Sequence, residues 1–418
     1  MPSIAPALLS DARVFAAYLI FAGSYLVFAL GKFPWMKIDR PGAAIIGAVL
    51  MVSFRIVGGR EALASVDFAT VVLLFAMMLI VGSLRLAGFF NWTTDWVVER
   101  LHPEHLLPTV ILTSGLLSAF LVNDIVCLVM TPFVLQMTRR LHRPPMPYLI
   151  ALATASNIGS TATITGNPQN MLIGSLSGIS YTAFMFRMAP VAIVGLLVNW
   201  ALVRRIYLRG EIDHVAVASA LAPREFRHDR IRKKPVVVLA MMLAGFLTGV
   251  PPALMAAIGA AALLITRSVE PRRLYDEVDW GLLVFFVGLF IIVGGADRAG
   301  LTAQLLRPIE TWNLHRIPIF VSSTAVLSNV VSNVPAVMLL RTVVPGFPDP
   351  RMGWFALAMA STLAGNLTIT GSVANIIVVE RAAAEGVHVG FRDYFRVGAP
   401  LTVATLVLGS LWLSVMSF

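Results

Sequence analysis

Residues 151–170 read ALATASNIGSTATITGNPQN, and residues 356–375 read ALAMASTLAGNLTITGSVAN. Aligned without gaps, the two stretches are identical at 10 of 20 positions. Each interrupts an apolar segment with Gly, Thr, Ser and Asn, which weaken a helix and supply backbone, amide and hydroxyl ligands. Two unrelated loops could share this composition, but the apolar segments on either side repeat as well. Interrupted hydrophobic segments at matching places in two halves of a chain indicate the binding site of a secondary transporter.

The composition places the chain in a membrane. Of 418 residues, 58% are hydrophobic and 13% are charged, whereas soluble domains carry roughly 25% charged residues. We attribute the net charge of +10 to the positive-inside bias of membrane proteins and not to nucleic-acid binding. The single cysteine, Cys127, argues against a disulfide framework or a cysteine metal site. We expect no cofactor beyond a coupling H⁺ or Na⁺, and the lipid bilayer and a small inorganic solute as partners.

The apolar segments predict the same order of elements in both halves. A continuous helix needs about 20 apolar residues to cross a bilayer, and fewer where it is broken or re-entrant. The first half is expected to contain three spans (14–30, 41–58 and 67–89), a re-entrant hairpin (105–138), a span (147–180) that is broken at 159–166, and a last span (183–207). The second half repeats this order at 235–250, 252–267, 279–297, 317–345, 353–384 (broken at 365–371) and 397–417. The predicted fold is therefore an all-α polytopic membrane protein with about ten spans and two hairpins.

A basic segment, 208–234, divides the chain into a first repeat (1–207) and a second repeat (235–418). Because five crossings per half is an odd number, the second half must enter the membrane from the opposite side, as an inverted repeat. Placing 208–234 in the cytoplasm puts 23 of the 32 Lys and Arg residues on that face, as the positive-inside rule requires. Since no signal peptide is recognised, the first span is expected to be retained. We expect a multi-pass protein of the cell (inner or plasma) membrane with both termini outside.

Four places combine membrane depth with polar, non-helical sequence. These are the hairpin tips at Asn123-Asp124 and Ser332-Asn333, and the two breaks. Such backbone is stable only where it is buried in protein or lines a wet cavity. Helix N-termini beside the breaks would favour an anion or an oxygen-rich solute, while carbonyl, Asn and Thr oxygens could hold Na⁺. The candidate solute- or ion-binding residues are Asn123, Asp124, Asn157, Gly159, Thr161, Thr163, Gly166, Asn167, Asn170, Ser332, Asn333, Gly365, Asn366, Thr368, Thr370, Gly371 and Asn375.

Asp124 is the acidic residue at a hairpin tip. A carboxylate at mid-membrane is costly and usually functional, and desolvation favours its protonated form, so Asp124 is the candidate for proton coupling. The alternative is that Asp124 only caps the following helix, because Asp is a favoured N-cap residue. The same alternative applies to Asn123 and Asn333. Val334 occupies the position equivalent to Asp124, so the two half-sites should differ chemically.

The remaining charged residues carry no recognisable catalytic pattern. We expect Arg85, Arg187, Arg298 and Arg341, near span ends, to reach the membrane interface, and Asp297 to pair with a neighbouring arginine. The sequence contains no Ser/His/Asp set, Walker loop or HExxH motif. An intramembrane enzyme would need a nucleophile and a base at depth, so this class is not favoured.

The order of these motifs resembles the ion transporter superfamily. The motifs are an Asn-Asp hairpin tip, SNIGSTATITGNPQN, a Ser-Asn-Val-Pro tip and AGNLTITGSVAN. They are most similar to the ArsB/NhaD-type permeases (arsenite permease-like proteins and related anion permeases), and more distantly to the divalent anion/sodium symporters. The resemblance implies a scaffold domain, a transport domain that moves as an elevator, and often a homodimer.

The resemblance also implies a class of function. In the sodium/dicarboxylate branch both tips carry Ser-Asn-Thr, whereas this chain has Val122-Asn123-Asp124 and Ser332-Asn333-Val334. This departure argues against dicarboxylate transport with two Na⁺ sites. The arsenite-permease side implies a proton-coupled secondary active transporter of a small inorganic anion or oxyacid, with arsenite/antimonite-type efflux as the leading special case. The alternatives are a Na⁺/H⁺ antiporter and a Na⁺-coupled carboxylate or sulfate symporter of the same fold.

Overall fold

The computed structural model describes residues 11–31, 38–100, 103–208, 233–265, 271–301, 304 and 313–415, and these residues form nineteen α-helices. The first half contains α1 (Asp11–Leu30), α2 (Arg40–Ser53), α3 (Gly59–Ser65), α4 (Phe68–Leu86), α5 (Phe89–Arg100), α6 (Leu106–Phe120), α7 (Asn123–Arg140), α8 (Pro145–Ser160), α9 (Pro168–Ser177) and α10 (Tyr181–Tyr207). The second half contains α11 (Lys233–Leu247), α12 (Pro252–Ile265), α13 (Pro271–Tyr275), α14 (Trp280–Arg298), α15 (Ile317–Val331), α16 (Asn333–Leu340), α17 (Pro350–Leu363), α18 (Val373–Ala384) and α19 (Phe391–Val415).

The helices pack as two groups. In the first, which we call the scaffold bundle (α1, α2, α4, α11, α12 and α14), α2 packs on α14 and α4 packs on α12. The second, the site bundle (α6–α10 and α15–α19), contains both hairpins and both broken helices. Its main contacts are α6 with α8, α7 with α18, α10 with α19 and α15 with α17. The polar elements singled out in the sequence therefore lie together in one bundle.

Helices α4 and α14 begin and end in the same way. Asp67 and Asp279 precede them, and each side chain accepts a hydrogen bond from a first-turn backbone amide, at 3.1 and 2.9 Å. Both helices end at a glycine in the left-handed region, Gly88 with φ of 79° and Gly300 with φ of 75°, where a residue without Cβ is favoured. The repeat predicted for these two spans thus extends to their caps.

Ion pairs join the opposite ends of α4 and α14. Arg85, in the last turn of α4, pairs with Glu277 just before α14. Arg298, at the end of α14, pairs with Glu61 in α3, just before α4. The bond from Arg298 lowers the pKa of the exposed Glu61 carboxyl. Because each helix end meets the other helix start, α4 and α14 run antiparallel.

Several predicted boundaries are wrong. The span expected at 41–58 ends at Ser53, because Arg55 adopts a left-handed conformation (φ 54°) and the separate helix α3 follows. Helix α5 was not predicted, and the last helix begins at Phe391, six residues before the expected 397. The basic segment lies outside the described residues between 209 and 232, as do both chain termini.

The first hairpin also differs from the expected arrangement. Asn123 and Asp124 do not lie between its helices, because α7 already begins at Asn123 and Val122 is the N-cap residue. The capping alternative for Asp124 is therefore wrong, since its carboxylate sits inside the first turn. In the second hairpin Ser332 joins the two helices with φ of 78° and makes no side-chain cap.

The outer surface fits a bilayer. Five of the described helices, α1, α4, α10, α14 and α19, are long and apolar enough to cross a membrane. Large apolar side chains are exposed in stripes along them, as at Val403, Val407 and Leu411 on α19. Spacing of four residues places these three side chains on one helix face, which lipid can cover.

The crossing of α2 and α14 provides a test of this packing. A Cβ added at Gly288 would lie 2.6 Å from the carbonyl oxygen of Ala44, so backbone must shift. We expect Gly288→Ala to lower stability by about 1–3 kcal/mol, measured as the melting temperature in detergent. Gly23→Ala in α1, where nothing lies within 4 Å of the added atom, is the control and should leave stability unchanged or slightly raised. Equal melting temperatures for both variants would contradict the close crossing.

Candidate functional site

The two breaks have the same local structure. Helix α8 ends at Ser160 and a 3₁₀ turn, Ile164–Gly166, precedes α9, while α17 ends at Leu363 and the 3₁₀ turn Ile369–Gly371 precedes α18. Thr163 and Thr368 enter these turns with φ, ψ of −138°, 165° and −137°, 164°. The sequence repeat therefore specifies one backbone conformation twice, and the breaks fall where they were predicted.

Asn170 and Asn375 close these breaks. The side-chain amide of Asn170 donates to the carbonyl oxygens of Ser160 and Thr163 at 3.1 and 2.9 Å. Asn375 donates to the carbonyls of Gly365 and Thr368 at 2.7 and 3.0 Å. These pairs occupy equivalent repeat positions, so each restarting helix satisfies the carbonyls freed by its own break.

Each hairpin tip contacts the broken helix of its own half. In the first half Asn123 Nδ2 donates to Asn157 Oδ1 at 3.1 Å, and the Ser156 hydroxyl donates to the Asn123 carbonyl at 3.2 Å. In the second half Asn329 Nδ2 donates to the Ala364 carbonyl at 2.9 Å, and Ser328 donates to the Ser361 carbonyl at 3.2 Å. Tips and breaks thus lie together as the sequence predicted.

Asn157 joins the two halves. Its Nδ2 donates to Asn366 Oδ1 and Asn375 Oδ1, both at 2.9 Å, while its Oδ1 accepts from Asn123 at 3.1 Å and from the Ser372 hydroxyl at 3.0 Å. The side chain is 2% exposed. One buried amide therefore connects the first hairpin tip, α8 and the second break.

Thr362 makes the reciprocal connection. Its hydroxyl accepts hydrogen bonds from Asn167 Nδ2 at 3.2 Å and Gln169 Nε2 at 3.3 Å, and donates to Asn170 Oδ1 at 3.4 Å. Thr362, Gln169 and Ser372 were not predicted as site residues. The repeat contained a signal for two of them, because Thr362 aligns with Asn157 and Ser372 aligns with Asn167.

The two breaks differ in exposure. All residues from 151 to 173 are buried, whereas residues 367 to 369 are partly exposed and Thr370 is exposed. The hydroxyls of Thr368 and Thr370 lie 3.3 Å apart on this open side. Added side-chain atoms at Gly159 and Gly166 would strike the backbones of Gly115 and Ser160, so these two glycines serve close packing and do not face open space. The second break is therefore the more exposed of the two.

Each hairpin holds one buried amide oxygen without a partner. Among the described residues, neither Asn123 Oδ1 nor Asn329 Oδ1 receives a hydrogen bond. Asn329 Oδ1 lies beside Gly371, 3.0 Å from where a Cβ would stand. Buried acceptors without donors are costly, so both oxygens can accept a hydroxyl donor or coordinate a cation.

Asp124 is partly exposed on the first turn of α7. Within the part of the chain that the structure describes, its carboxylate has no hydrogen bond or ion pair. The surrounding hydrogen-bond network consists of amides, hydroxyls and backbone carbonyls, without a lysine, arginine or histidine. The site therefore offers oxygen and amide ligands, and Asp124 follows directly on Asn123 of that network.

The orientation of the Asn157 amide provides a test of the site. Asn375 donates to two carbonyls, so its Oδ1 can only accept from Asn157. In Asn157→Asp an ionised carboxylate would face two acceptors, at a cost of about 1–3 kcal/mol for each unsatisfied group. Protonation restores one donor and is favoured in the folded state, so the loss relative to wild type should shrink as the pH falls.

The measurement is the melting temperature of both proteins at about pH 8 and about pH 5. Asn91→Asp, at an exposed position of α5, is the matched control and should show little deficit at either pH. A deficit of Asn157→Asp that is absent, or that grows as the pH falls, would contradict the hydrogen-bond assignment.

Comparison with known proteins gives the family. A sequence model of the CitMHS family, described as citrate transporter, matches residues 25–364. An uncharacterised transporter of Mycobacterium tuberculosis is 31% identical over 425 residues, covering 95% of this chain and 97% of the relative. The silicon efflux transporter LSI3 of Oryza sativa is 29% identical over 478 residues, covering 96% of this chain and 98% of the relative. A Dictyostelium discoideum transporter named arsB is 26% identical, covering 90% of this chain and 87% of the relative.

The fold is shared with a solved structure. The crystal structure of the Alcanivorax borkumensis YdaH transporter aligns with a TM-score of 0.60 over 97% of both chains, at 16% identity. The expected relationship to arsenite permease-like members of the ion transporter superfamily is confirmed. Matched over most of its length and carrying helices that can cross a bilayer, the chain belongs to the CitMHS citrate transporter family and is a multi-pass membrane transporter.

Proposed function

We propose that this protein is a proton-coupled secondary active transporter of a small inorganic anion or oxyacid, with arsenite/antimonite-type efflux as the leading special case. The observation that carries the proposal is the pair of buried, unpartnered amide oxygens, Asn123 Oδ1 and Asn329 Oδ1, in a site without cationic partners. Such acceptors favour a solute that donates hydroxyl hydrogens. An uncharged polyhydroxide such as arsenous acid is a solute of this kind.

The same observation weighs against citrate, although the family is described by that name. Carboxylates are acceptors at neutral pH and are usually bound by arginine or lysine. Within the described residues, the hydrogen-bond network of the site includes neither. The relatives named for silicon efflux and arsB also favour an oxyacid.

An inverted repeat is an architecture that many secondary transporters share. The antiparallel α4 and α14, with matched caps and reciprocal ion pairs, support it. Contacts between distant segments support the predicted membrane sides. Arg139 pairs with Glu385 at 3.0 Å, and both residues are assigned to the cytoplasmic face. Arg341 pairs with Asp297 at 3.1 Å on the opposite face, in agreement with the pairing expected for Asp297.

The division into two bundles supports elevator-type alternating access. Both half-sites lie in the site bundle, and the ion pair of Arg341, directly after α16, with Asp297 in α14 crosses to the scaffold bundle. Movement of the site bundle as one body would carry the polar cluster across the membrane without separating its hydrogen bonds. In this arrangement the central basic loop is cytoplasmic and the termini are outside.

Asp124 is the group we assign to proton coupling. Among the described residues its carboxylate has no hydrogen-bond or ion-pair partner, and the low polarity of the membrane interior favours its protonated form. A second candidate function, Na⁺/H⁺ antiport, is favoured by the same carboxylate together with the two unpartnered oxygens, because oxygen ligands suit a hard cation. The two functions differ in whether flux of an oxyacid accompanies the proton.

Flux in proteoliposomes tests the proposal. We expect arsenite or antimonite flux that depends on a pH gradient and falls on the order of a hundredfold in Asp124→Asn, as for loss of a proton-transfer group. Glu385→Gln, which removes a carboxylate remote from the site, is the control and should retain the pH dependence. If no oxyanion tested shows flux driven by the pH gradient, the proposal is contradicted. Na⁺-induced alkalinisation that is lost in Asp124→Asn would instead favour the antiporter.

The mode of metalloid binding gives a separate prediction. The chain has one cysteine, and Cys127 is buried, so arsenic cannot be held by a cluster of thiolates. We expect arsenite affinity, measured by binding to purified protein, to change less than about twofold in Cys127→Ser. Tight arsenic binding that disappears in this variant would contradict recognition by hydroxyl and amide hydrogen bonds.

A further inference from the structure

A cavity of about 330 Å³ lies on the seam between the scaffold and site bundles. Its scaffold wall is the start of α4 and the turn between α11 and α12, and its other wall includes the connection from α9 to α10 and Ile164 of the first break. The cavity therefore touches the first break at Ile164. Yet every residue of the first break is buried.

The side chain that lines the cavity and also contacts the first break is Tyr181, the first residue of α10. It is 2% exposed. Its hydroxyl lies 3.0 Å from the hydroxyl of Thr165, which lies 3.4 Å from that of Thr163. Thr163 donates in turn to the carbonyl of Ala119 in the first hairpin. A row of hydroxyls thus runs from Tyr181 toward the hairpin.

The ring of Tyr181 crosses the seam between the bundles. It packs on Phe246 of α11, with ring centroids 4.7 Å apart, and Phe246 is fully buried. The hydroxyl is therefore held by the site bundle and the ring by the scaffold bundle. A contact of this kind must break if the two bundles move relative to each other.

The second half carries a different residue at the equivalent position. Aligning Phe186 with Phe395, as the repeat requires, places Gly390 at the position of Tyr181. A glycine cannot fill the space of an aromatic ring, and the hydroxyls of Thr368 and Thr370 are exposed. The first break is thus closed by a large side chain in the half that also carries Asp124.

We propose that Tyr181 is a gate that separates the cavity from the threonine hydroxyls of the first break, and that its displacement from Phe246 opens the hydroxyls of Thr163 and Thr165 to a small hydroxylated solute. The identity of the solute rests on the proposed function, whereas the barrier itself does not. The gate is a residue at the seam between bundles that controls access to one half-site.

Chemical labelling of the full-length protein in detergent tests the gate. In a Cys127→Ser background, Thr163→Cys reports access to the first break, and a small water-soluble methanethiosulfonate is the probe. We expect slow modification with Tyr181 present and a rate higher by on the order of tenfold or more in Tyr181→Ala. Phe246→Ala opens the same contact from the scaffold side and should also raise the rate, which keeps the test valid if one variant misfolds.

Three controls separate a gate from general loosening. Ser175→Cys, an exposed position on the cavity wall, should be modified at one rate whichever residue stands at 181. Phe184→Ala removes a buried aromatic of α10 that packs on Phe355 and does not line the cavity, so it should not speed modification of Thr163→Cys. Tyr181→Phe keeps the ring and should stay within about twofold of the parent rate.

The gate is overturned if Thr163→Cys reacts equally fast with tyrosine and alanine at position 181, or if Phe184→Ala raises its rate as much as Tyr181→Ala does. A rise in Tyr181→Phe equal to that in Tyr181→Ala also overturns it. These outcomes do not depend on transport. Failure of oxyacid flux would remove the proposed function and leave the labelling result standing.

Discussion

Two helices stop inside a bundle, and the carbonyls at each stop must find donors where water is scarce. Asn170 and Asn375 supply those donors from the first turn of the restarting helices, with four bonds between 2.7 and 3.1 Å. Without them, buried carbonyls would remain unpaired, which membrane-embedded backbone does not tolerate. Because the broken helices are stable, non-helical backbone and hydroxyls can stand beside the hairpin tips and form a polar site inside an apolar protein.

The two halves complete each other but are chemically unequal. Asn157 of the first half holds the second break, and Thr362 of the second half holds the first, so a single half would leave buried amides without partners. The repeat nevertheless diverges at positions that matter for chemistry. The first half has Asp124 where the second has Val334, and Tyr181 where the second has Gly390. Two half-sites with the same backbone, of which one carries a carboxylate and a closed break, suit a transport cycle in which solute and proton bind at different places.

Much of this arrangement could be predicted from the repeated sequence, because Gly, Thr and Asn at matching places signal the same backbone twice. The breaks, the matched ends of α4 and α14, and the contact of tips with breaks follow from that pattern. The pattern does not identify Gln169, because the role of this residue depends on a contact between the halves that is set only by tertiary packing. It also misplaces the end of α2, because Arg55 adopts a left-handed backbone conformation that is uncommon for arginine and that the sequence does not indicate. Helix α5 is polar enough to have no span-like signal.

Thermal stabilisation of the purified protein by candidate solutes tests the central claim. This claim is that one oxygen-rich site, with no lysine or arginine in its hydrogen-bond network as described, binds an uncharged oxyacid. A ligand that binds the native state raises the melting temperature by mass action. Arsenite, antimonite, sulfate, phosphate, citrate, Na⁺ and Li⁺ would be compared at two pH values. The account predicts a shift with arsenite or antimonite that needs no Na⁺. A shift with citrate or sulfate that appears only with Na⁺, and none with the oxyacids, would contradict it.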